Sequence, residues 1–115
     1  MAESLIQKKS FEFSLSIIGL YKELQAKREF VLSKQLLRSG TSIGANVEEA
    51  SAAQSRKDFI AKMSISLKEA RETKYWIRLL QESQLVDLDL KNELTQINEL
   101  IRILSSIVKT TRENP

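Results

Sequence analysis

This sequence contains no cysteine and no histidine, and its only proline is the last of 115 residues. Without cysteine the chain can form neither a disulfide nor a thiolate metal site, and without histidine it lacks the commonest general base and metal ligand. With only three glycines in addition to that proline, few residues interrupt regular structure. The composition therefore disfavours disulfide-stabilised folds and most acid–base or metal chemistry.

Long apolar runs are missing as well. The N-terminal segment MAESLIQKKSFEF lacks the apolar core of a signal peptide, and no run approaches the roughly 20 residues of a membrane span. We therefore expect a cytoplasmic protein that does not enter a membrane. The length of 115 residues predicts a single domain, residues 1–115, and 42% hydrophobic with 29% charged residues is ordinary for a globular chain.

Apolar and small residues recur at alternating steps of four and three in four segments, which is typical of helices packed at a shallow crossing angle. No alternating strand pattern lies between the segments. We call these sets the four core rows: Ile6-Ser10-Phe13-Ile17-Leu20-Leu24, Leu36-Gly40-Ile43-Val47-Ala50, Phe59-Met63-Ser66-Ala70-Thr73-Ile77-Leu80 and Leu90-Leu94-Ile97-Ile101-Leu104-Val108.

The breaks between the rows predict an all-α fold with helices near residues 4–26, 30–54, 56–83 and 88–112. Ser55 and Asp58 have the spacing of a capping box, and Asp87 or Asp89 is placed to cap the fourth helix. Because the connectors are short, neighbouring helices should be antiparallel. The sequence thus predicts an up-down-up-down four-helix bundle.

The segment SGTSIG, from Ser39 to Gly44, resembles a flexible phosphate-binding loop in composition. Such a loop normally ends in Gly-Lys-Ser or Gly-Lys-Thr, whereas Gly44 is followed by Ala45 and Asn46. Gly40 also keeps the phase of the second core row. We therefore predict a continuous helix from Leu36 to Gln54, with glycines that let a neighbouring helix come close.

Enzyme chemistry finds little support. Glu48 and Glu49 are adjacent on a helix and point about 100° apart, which does not suit a shared metal or proton. A di-metal carboxylate bundle uses Glu-x-x-His pairs, and the serines have no partner base. We expect a protein that is not an enzyme and uses no metal or cofactor.

A polar stripe runs beside the second core row at steps of three and four. Two interpretations are open: a solvated helix face, or a hydrogen-bonded ladder that orients a partner helix or subunit. The spacing lets Arg38 reach Ser42 and Asn46 reach Glu49. The stripe consists of Gln35, Arg38, Ser42, Asn46 and Glu49.

These residues carry a resemblance to a known family. The segment QLLRSGTSIGANVEEASAAQSRKDF, followed by SISLKEARETKYWIRLL, resembles the 23S ribosomal RNA intervening-sequence proteins. The similarity extends from Phe13 to about Val86, and the family's Gln, Arg, Ser-Ile, Asn-hydrophobic and acid pattern falls on the polar stripe. Where many members have Glu-Gly, this chain has Glu49-Ala50.

The resemblance implies a small four-helix bundle without a settled biochemical activity. Members resemble the accessory subunit of diversity-generating retroelements, a basic bundle that associates with a reverse transcriptase and with nucleic acid. Members also form ring-shaped homopentamers. The partners it implies are therefore further copies of the chain, RNA or DNA, and a reverse transcriptase-like protein.

Apolar residues outside the core rows independently predict self-association. A three-residue row in the first helix lies almost opposite its core row, and a second set lies away from the core row of the third helix. An apolar patch left exposed in this way usually marks an interface. The predicted oligomer interface consists of Phe11, Leu15, Ile18, Ile65, Trp76 and Leu79.

Positive charge is concentrated in the third helix. The net charge is +3, and residues 55–86 carry seven basic and four acidic side chains. A row of cations can follow phosphates without reading base sequence. Glu69, Glu72 and Asp58 interrupt the helix, and we expect no aromatic side chain among the cations, so a solvated, ion-paired face is the competing interpretation. The predicted nucleic-acid-binding residues are Arg56, Arg71, Lys74 and Arg78.

The sequence therefore favours a non-enzymatic oligomeric bundle that serves as an adaptor or scaffold and binds RNA, DNA or a nucleic-acid enzyme through its basic face. The alternative is a structural, self-assembling protein-interaction module with no nucleic-acid binding.

Overall fold

A computed structural model describes residues 3–114 as four helices in a bundle that measures 47 × 23 × 21 Å. The helices are α1 (Leu5–Ala26), α2 (Leu32–Ser51), α3 (Arg56–Ser83) and α4 (Lys91–Glu113). No strand occurs in this part of the chain. The predicted all-α four-helix fold is confirmed.

Between neighbouring helices, residues later in one helix contact residues earlier in the other. On α2, Gly40 lies against Ile17 and Gly44 lies against Ser10 of α1. The Ser66 hydroxyl of α3 donates to the Ile43 carbonyl of α2 at 2.8 Å. The remaining pairs follow the same rule: Ser39 with Thr73, Gln81 with Leu90, Arg56 with Thr111, and Lys9 with Glu99. Each helix is thus antiparallel to the next, and the topology is up-down-up-down.

The backbones of the diagonal helices stay apart. Within residues 3–114, no Cα atom of α1 comes within 8 Å of α3, and none of α2 comes within 8 Å of α4. Each helix therefore has two neighbours, one core-facing side and one outward side. Every member of the first two core rows is buried, and the other two rows are buried except for the half-buried Phe59, Leu94 and Ile101.

The first connector ends α1 and begins α2 through its own hydrogen bonds. Arg28 adopts a left-handed backbone with φ of 65°, and the amides of Arg28 and Glu29 donate to the carbonyls of Gln25 and Leu24. This is a Schellman turn with arginine in place of the usual glycine. The buried Glu29 carboxylate then accepts the N–H groups of Val31 and Leu32 at 3.2 Å and of Ser33 at 2.6 Å.

Three helix ends differ from the predicted bounds by two residues or more. Helix α2 begins at Leu32 rather than residue 30, because Glu29 caps it from outside the helix. It ends at Ser51 rather than Gln54, because the chain must turn back into the extended Ser55, the N-cap of α3. Helix α4 begins at Lys91 rather than residue 88.

Side-chain caps begin the other helices. The Ser55 hydroxyl accepts the Asp58 N–H at 3.0 Å, as its spacing predicts, but the Asp58 carboxylate accepts no hydrogen bond from the Ser55 N–H, so the predicted capping box is only half formed. Of the two candidates for α4, Asp89 accepts the Lys91 N–H at 3.0 Å, and Gln81 accepts the Leu90 N–H. At α1, Ser4 and Gln7 form a reciprocal capping box that the sequence interpretation missed.

None of the helices within residues 3–114 combines the length and the apolar character that a membrane crossing requires.

Candidate interaction surfaces

Three of the predicted basic residues come together on the outer edge of α3. Arg71, Lys74 and Arg78 line one shallow pocket, with Tyr75 beside them and Ile101 of α4 on its far side. The Arg78 Nε pairs with Glu82 at 2.9 Å, which leaves the rest of its guanidinium facing outward. The side chains of Arg71 and Lys74 make no hydrogen bond or ion pair with any described residue. We call Arg71, Lys74 and Arg78 the basic row.

Arg56 does not join the basic row. It lies 15 residues before Arg71, which is about 22 Å along a helix. Its guanidinium donates to the Thr111 carbonyl at 2.5 Å, in the last turn of α4. A cation placed there satisfies a free carbonyl and opposes the negative end of the helix dipole. The structure thus gives Arg56 a local role at the end of α4.

The acidic residues that interrupt the third helix in sequence lie on its other side. Glu69 and Glu72 both pair with Arg38 of α2, the former at 3.2 Å. They precede core positions by one residue, whereas the basic row follows core positions by one residue. The carboxylates therefore face α2 while the basic row faces α4.

An aromatic side chain does lie among the cations, contrary to the expectation from sequence. Tyr75 is 56% exposed and contacts the same pocket as the basic row. The exposed Lys68 shares its helix face, since seven residues make nearly two full turns. Sequence inspection missed both residues, although Tyr75 stands four residues after Arg71 and three before Arg78, the spacing that indicates one face.

Trp76 connects Tyr75 to the polar stripe of α2. The Tyr75 and Trp76 rings meet edge to face, with centroids 5.2 Å apart and planes at 70°. The indole N–H of Trp76 donates to Glu72 Oε2 at 2.9 Å, and that same carboxylate oxygen pairs with Arg38. A chain of contacts thus runs from α2 to the exposed ring.

The polar stripe lies along the edge where α2 meets α3. Within α2, the Ser42 hydroxyl donates to the Arg38 carbonyl at 2.7 Å, and the Asn46 amide donates to the Ser42 carbonyl at 2.8 Å. The expected contact between Asn46 and Glu49 does not form. Glu49 instead accepts from Lys62 of α3 at 2.9 Å, and this hydrogen bond, with the carboxylate charge, raises the pKa of Lys62 above its ordinary 10.5.

The charged members of the stripe, Arg38 and Glu49, therefore contact a neighbouring helix of the same chain. Gln35, the remaining member, is exposed and makes no side-chain hydrogen bond within residues 3–114.

The predicted interface residues divide into an exposed row and a partly covered set. On α1, Phe11, Leu15 and Ile18 are 61%, 56% and 39% exposed. Phe11 and Ile18 form one wall of an apolar groove whose other wall is α2 at Thr41, Gly44 and Ala45. We call Phe11, Leu15 and Ile18 the apolar row.

On α3, Ile65 is exposed, but Trp76 and Leu79 are half-buried. Glu69 and Glu72 lie between Ile65 and Trp76 along that side of the helix, so the α3 set does not form one continuous apolar patch.

Residues 2–106 match the family described as 23S rRNA-intervening sequence protein. The chain belongs to this family. The resemblance seen in the polar stripe is thereby confirmed, and the family match extends over both the basic row and the apolar row. In this chain Arg38 and Glu49, although exposed, connect the stripe on α2 to α3.

A solved family structure shares this fold closely. It is a protein of unknown function from the S23 ribosomal protein family of Bacteroides thetaiotaomicron VPI-5482. The two sequences are 48% identical, the similarity covers 91% of this chain and 99% of that one, and the TM-score is 0.87. No curated protein sequence matches this chain. Neither the family description nor the solved relative names an enzymatic activity.

Proposed function

We propose that this family member is a non-catalytic scaffold that self-associates through the apolar row of α1 and holds nucleic-acid backbone on the basic row of α3. The observation that carries the proposal is the placement of these rows on diagonal helices, whose Cα atoms do not come within 8 Å of one another. Contacts made by the apolar row of one copy therefore do not cover the basic row of that same copy.

The occupant proposed for the apolar row is a second copy of the chain. Three large apolar side chains, each more than a third exposed, lie beside an apolar groove along the same helix. A patch of this kind in a water-exposed bundle usually marks a protein interface. The resemblance to ring-forming members favours identical copies as the partner, and a pentamer as the assembly. Ile65 is a further candidate contact, ten residues and about 15 Å from Tyr75.

The proposal for nucleic acid rests on how charge is separated across α3. Glu69 and Glu72 both pair with Arg38 on the side that faces α2, where this one guanidinium offsets part of their negative charge. The ammonium of Lys74 and the guanidinium of Arg71 have no such partner among the described residues. Uncompensated cations on one face attract phosphates at any base sequence. Because the family description mentions 23S rRNA, structured RNA is the first ligand to test.

The test is fluorescence anisotropy with a structured RNA and a duplex DNA across a range of salt concentrations. Binding should weaken by about 0.9 log unit per log unit of salt for each duplex phosphate neutralised. The triple variant Arg71→Gln, Lys74→Gln, Arg78→Gln should bind more weakly and show a flatter salt dependence, because up to three contacts are removed. The matched control is Lys27→Gln, Lys34→Gln, Lys109→Gln, which removes the same charge from exposed positions outside both the apolar row and the basic row.

The proposal requires the control to bind like wild type. If wild type does not bind at low salt, or if both triple variants lose affinity equally, the basic row is not a nucleic-acid site. The remaining candidate would then be the structural, self-assembling protein-interaction module, which the apolar row alone supports.

A further inference from the structure

The exposed ring of Tyr75 is unexplained by binding to phosphates alone. We infer that Tyr75 stacks on an unpaired base, so that this site binds single-stranded nucleic acid in preference to a duplex. The inference rests on the proposed function, since the basic row holds the backbone that delivers the base. The stacking contact would distinguish single-stranded nucleic acid from a duplex, which the cations alone do not do.

The placement of Tyr75 suits a stacking role. More than half of the side chain is exposed, and its hydroxyl makes no hydrogen bond with any described residue. Lys74 and Arg78 lie on the side that faces α4, whereas Trp76 lies on the side that faces α2. A base placed on this ring would therefore have cations along one edge, where its phosphates can be neutralised.

The ring is also held in place before any ligand arrives. Trp76 contacts it edge to face, and the Trp76 indole is anchored by its hydrogen bond to Glu72. Arg38 holds the same carboxylate from α2. A side chain supported in this way loses little conformational freedom on binding, which favours affinity.

The length of the cationic face matches a short stretch of strand. Lys68 and Arg78 are ten residues apart, or about 15 Å along α3. A stacked strand carries a phosphate about every 3.4 Å, so this distance spans roughly four phosphates. In a duplex the bases are paired and inaccessible to Tyr75, whereas in a single strand any base has a face that can stack on it. The preference should therefore be for strandedness rather than for base sequence.

The test compares three probes of equal strand length at low salt: a single strand, the same strand with abasic sites at its centre, and a blunt duplex. The proteins are wild type, Tyr75→Leu, Tyr75→Phe and the triple variant of the basic row. Phe30→Leu, in the connector between α1 and α2, is the matched control for loss of an exposed aromatic ring.

The wild-type protein should bind the single strand more tightly than the other two probes. Tyr75→Leu should weaken single-strand binding by about 5- to 150-fold, the range found for removing one base–aromatic stack, and should change abasic and duplex binding less than twofold. Tyr75→Phe and Phe30→Leu should bind like wild type.

The outcomes separate this inference from the function beneath it. If Tyr75→Leu binds the single strand as wild type does while the triple variant does not, stacking is wrong and the backbone site stands. Equal loss on the single-stranded and abasic probes also overturns stacking, because no base is needed for that loss. If wild type binds none of the probes, both proposals fail.

Discussion

At the scale of single residues, Gly40 sets how closely α1 and α2 approach. A Cβ atom added to Gly40 would lie 3.0 Å from Ile17 Cγ2 and 3.1 Å from Ile17 Cγ1, so Ile17 would have to shift by a few tenths of an ångström. A glycine inside a helix costs about 1 kcal/mol of stability relative to alanine, so the close packing of α1 on α2 must offset that cost. The small residues of SGTSIG are therefore packing residues rather than a phosphate-binding loop.

Substituting Gly40 with leucine should destabilise the protein by about 1–3 kcal/mol through overpacking. The measurement is urea unfolding followed by circular dichroism. The control is Gly19→Ala, because an added Cβ at Gly19 meets no atom within 4 Å, and this variant should gain up to about 1 kcal/mol. If Gly40→Leu is as stable as wild type, Gly40 does not lie at a close helix contact.

At the scale of elements, α2 and α3 are joined at their core by hydroxyl groups. The Thr73 and Ser39 hydroxyls form a hydrogen bond of 2.9 Å, the Thr73 hydroxyl also lies 2.8 Å from the Glu69 carbonyl, and both side chains are fully buried. Buried polar groups of this kind are costly when only one partner remains. The edge of the same pair carries the ion pairs of Arg38 with Glu69 and Glu72 and of Glu49 with Lys62.

We expect non-additive stability at this buried pair. Thr73→Val should cost about 1–3 kcal/mol, because it leaves the buried Ser39 hydroxyl without a partner, whereas Ser39→Ala should cost about 0.5–1.5 kcal/mol, because the Thr73 hydroxyl keeps the Glu69 carbonyl as a partner. The double variant should be more stable than the sum of the two single losses predicts, by about 0.5 kcal/mol or more. Urea unfolding of the four proteins measures the coupling. Strict additivity would show that the hydroxyls do not interact.

At the scale of the whole molecule, α1 and α3 present different surfaces on opposite sides of the bundle. The apolar row on α1 predicts a homo-oligomer at micromolar concentration. Leu15→Glu combined with Ile18→Glu should give smaller particles in sedimentation velocity with an unchanged helical spectrum, because charge is placed in an apolar contact. Leu85→Glu is the matched control, since Leu85 is 57% exposed and Leu15 is 56% exposed. A wild-type chain that sediments as a monomer would refute the prediction.

Sequence alone determined the helices and the side of each helix that faces the core. Which residues of a helix are buried depends on the 3.6-residue repeat, and the spacing of apolar residues in the sequence shows that repeat. Ser10 and Thr73 could therefore be placed among the buried residues despite their polarity. Helix ends were less predictable. Glu29 caps α2 from the preceding connector, and glutamate is not among the residues that usually indicate an N-cap in a sequence.

Only the tertiary structure decided which neighbour each flank of a helix meets. The periodic pattern does not show which neighbouring helix lies beside the positions just before and just after a core residue. A left-turning and a right-turning bundle have the same core rows. The fold resolves this by directing Glu72 toward α2, where Arg38 pairs with it, and Lys74 toward α4, where it lines a pocket with Ile101. Tyr75 lies opposite the core side of α3 and is exposed in a bundle of either hand. The hand of the bundle therefore decides which neighbouring helix lies beside the basic row, which is a property of packing and not of any one helix.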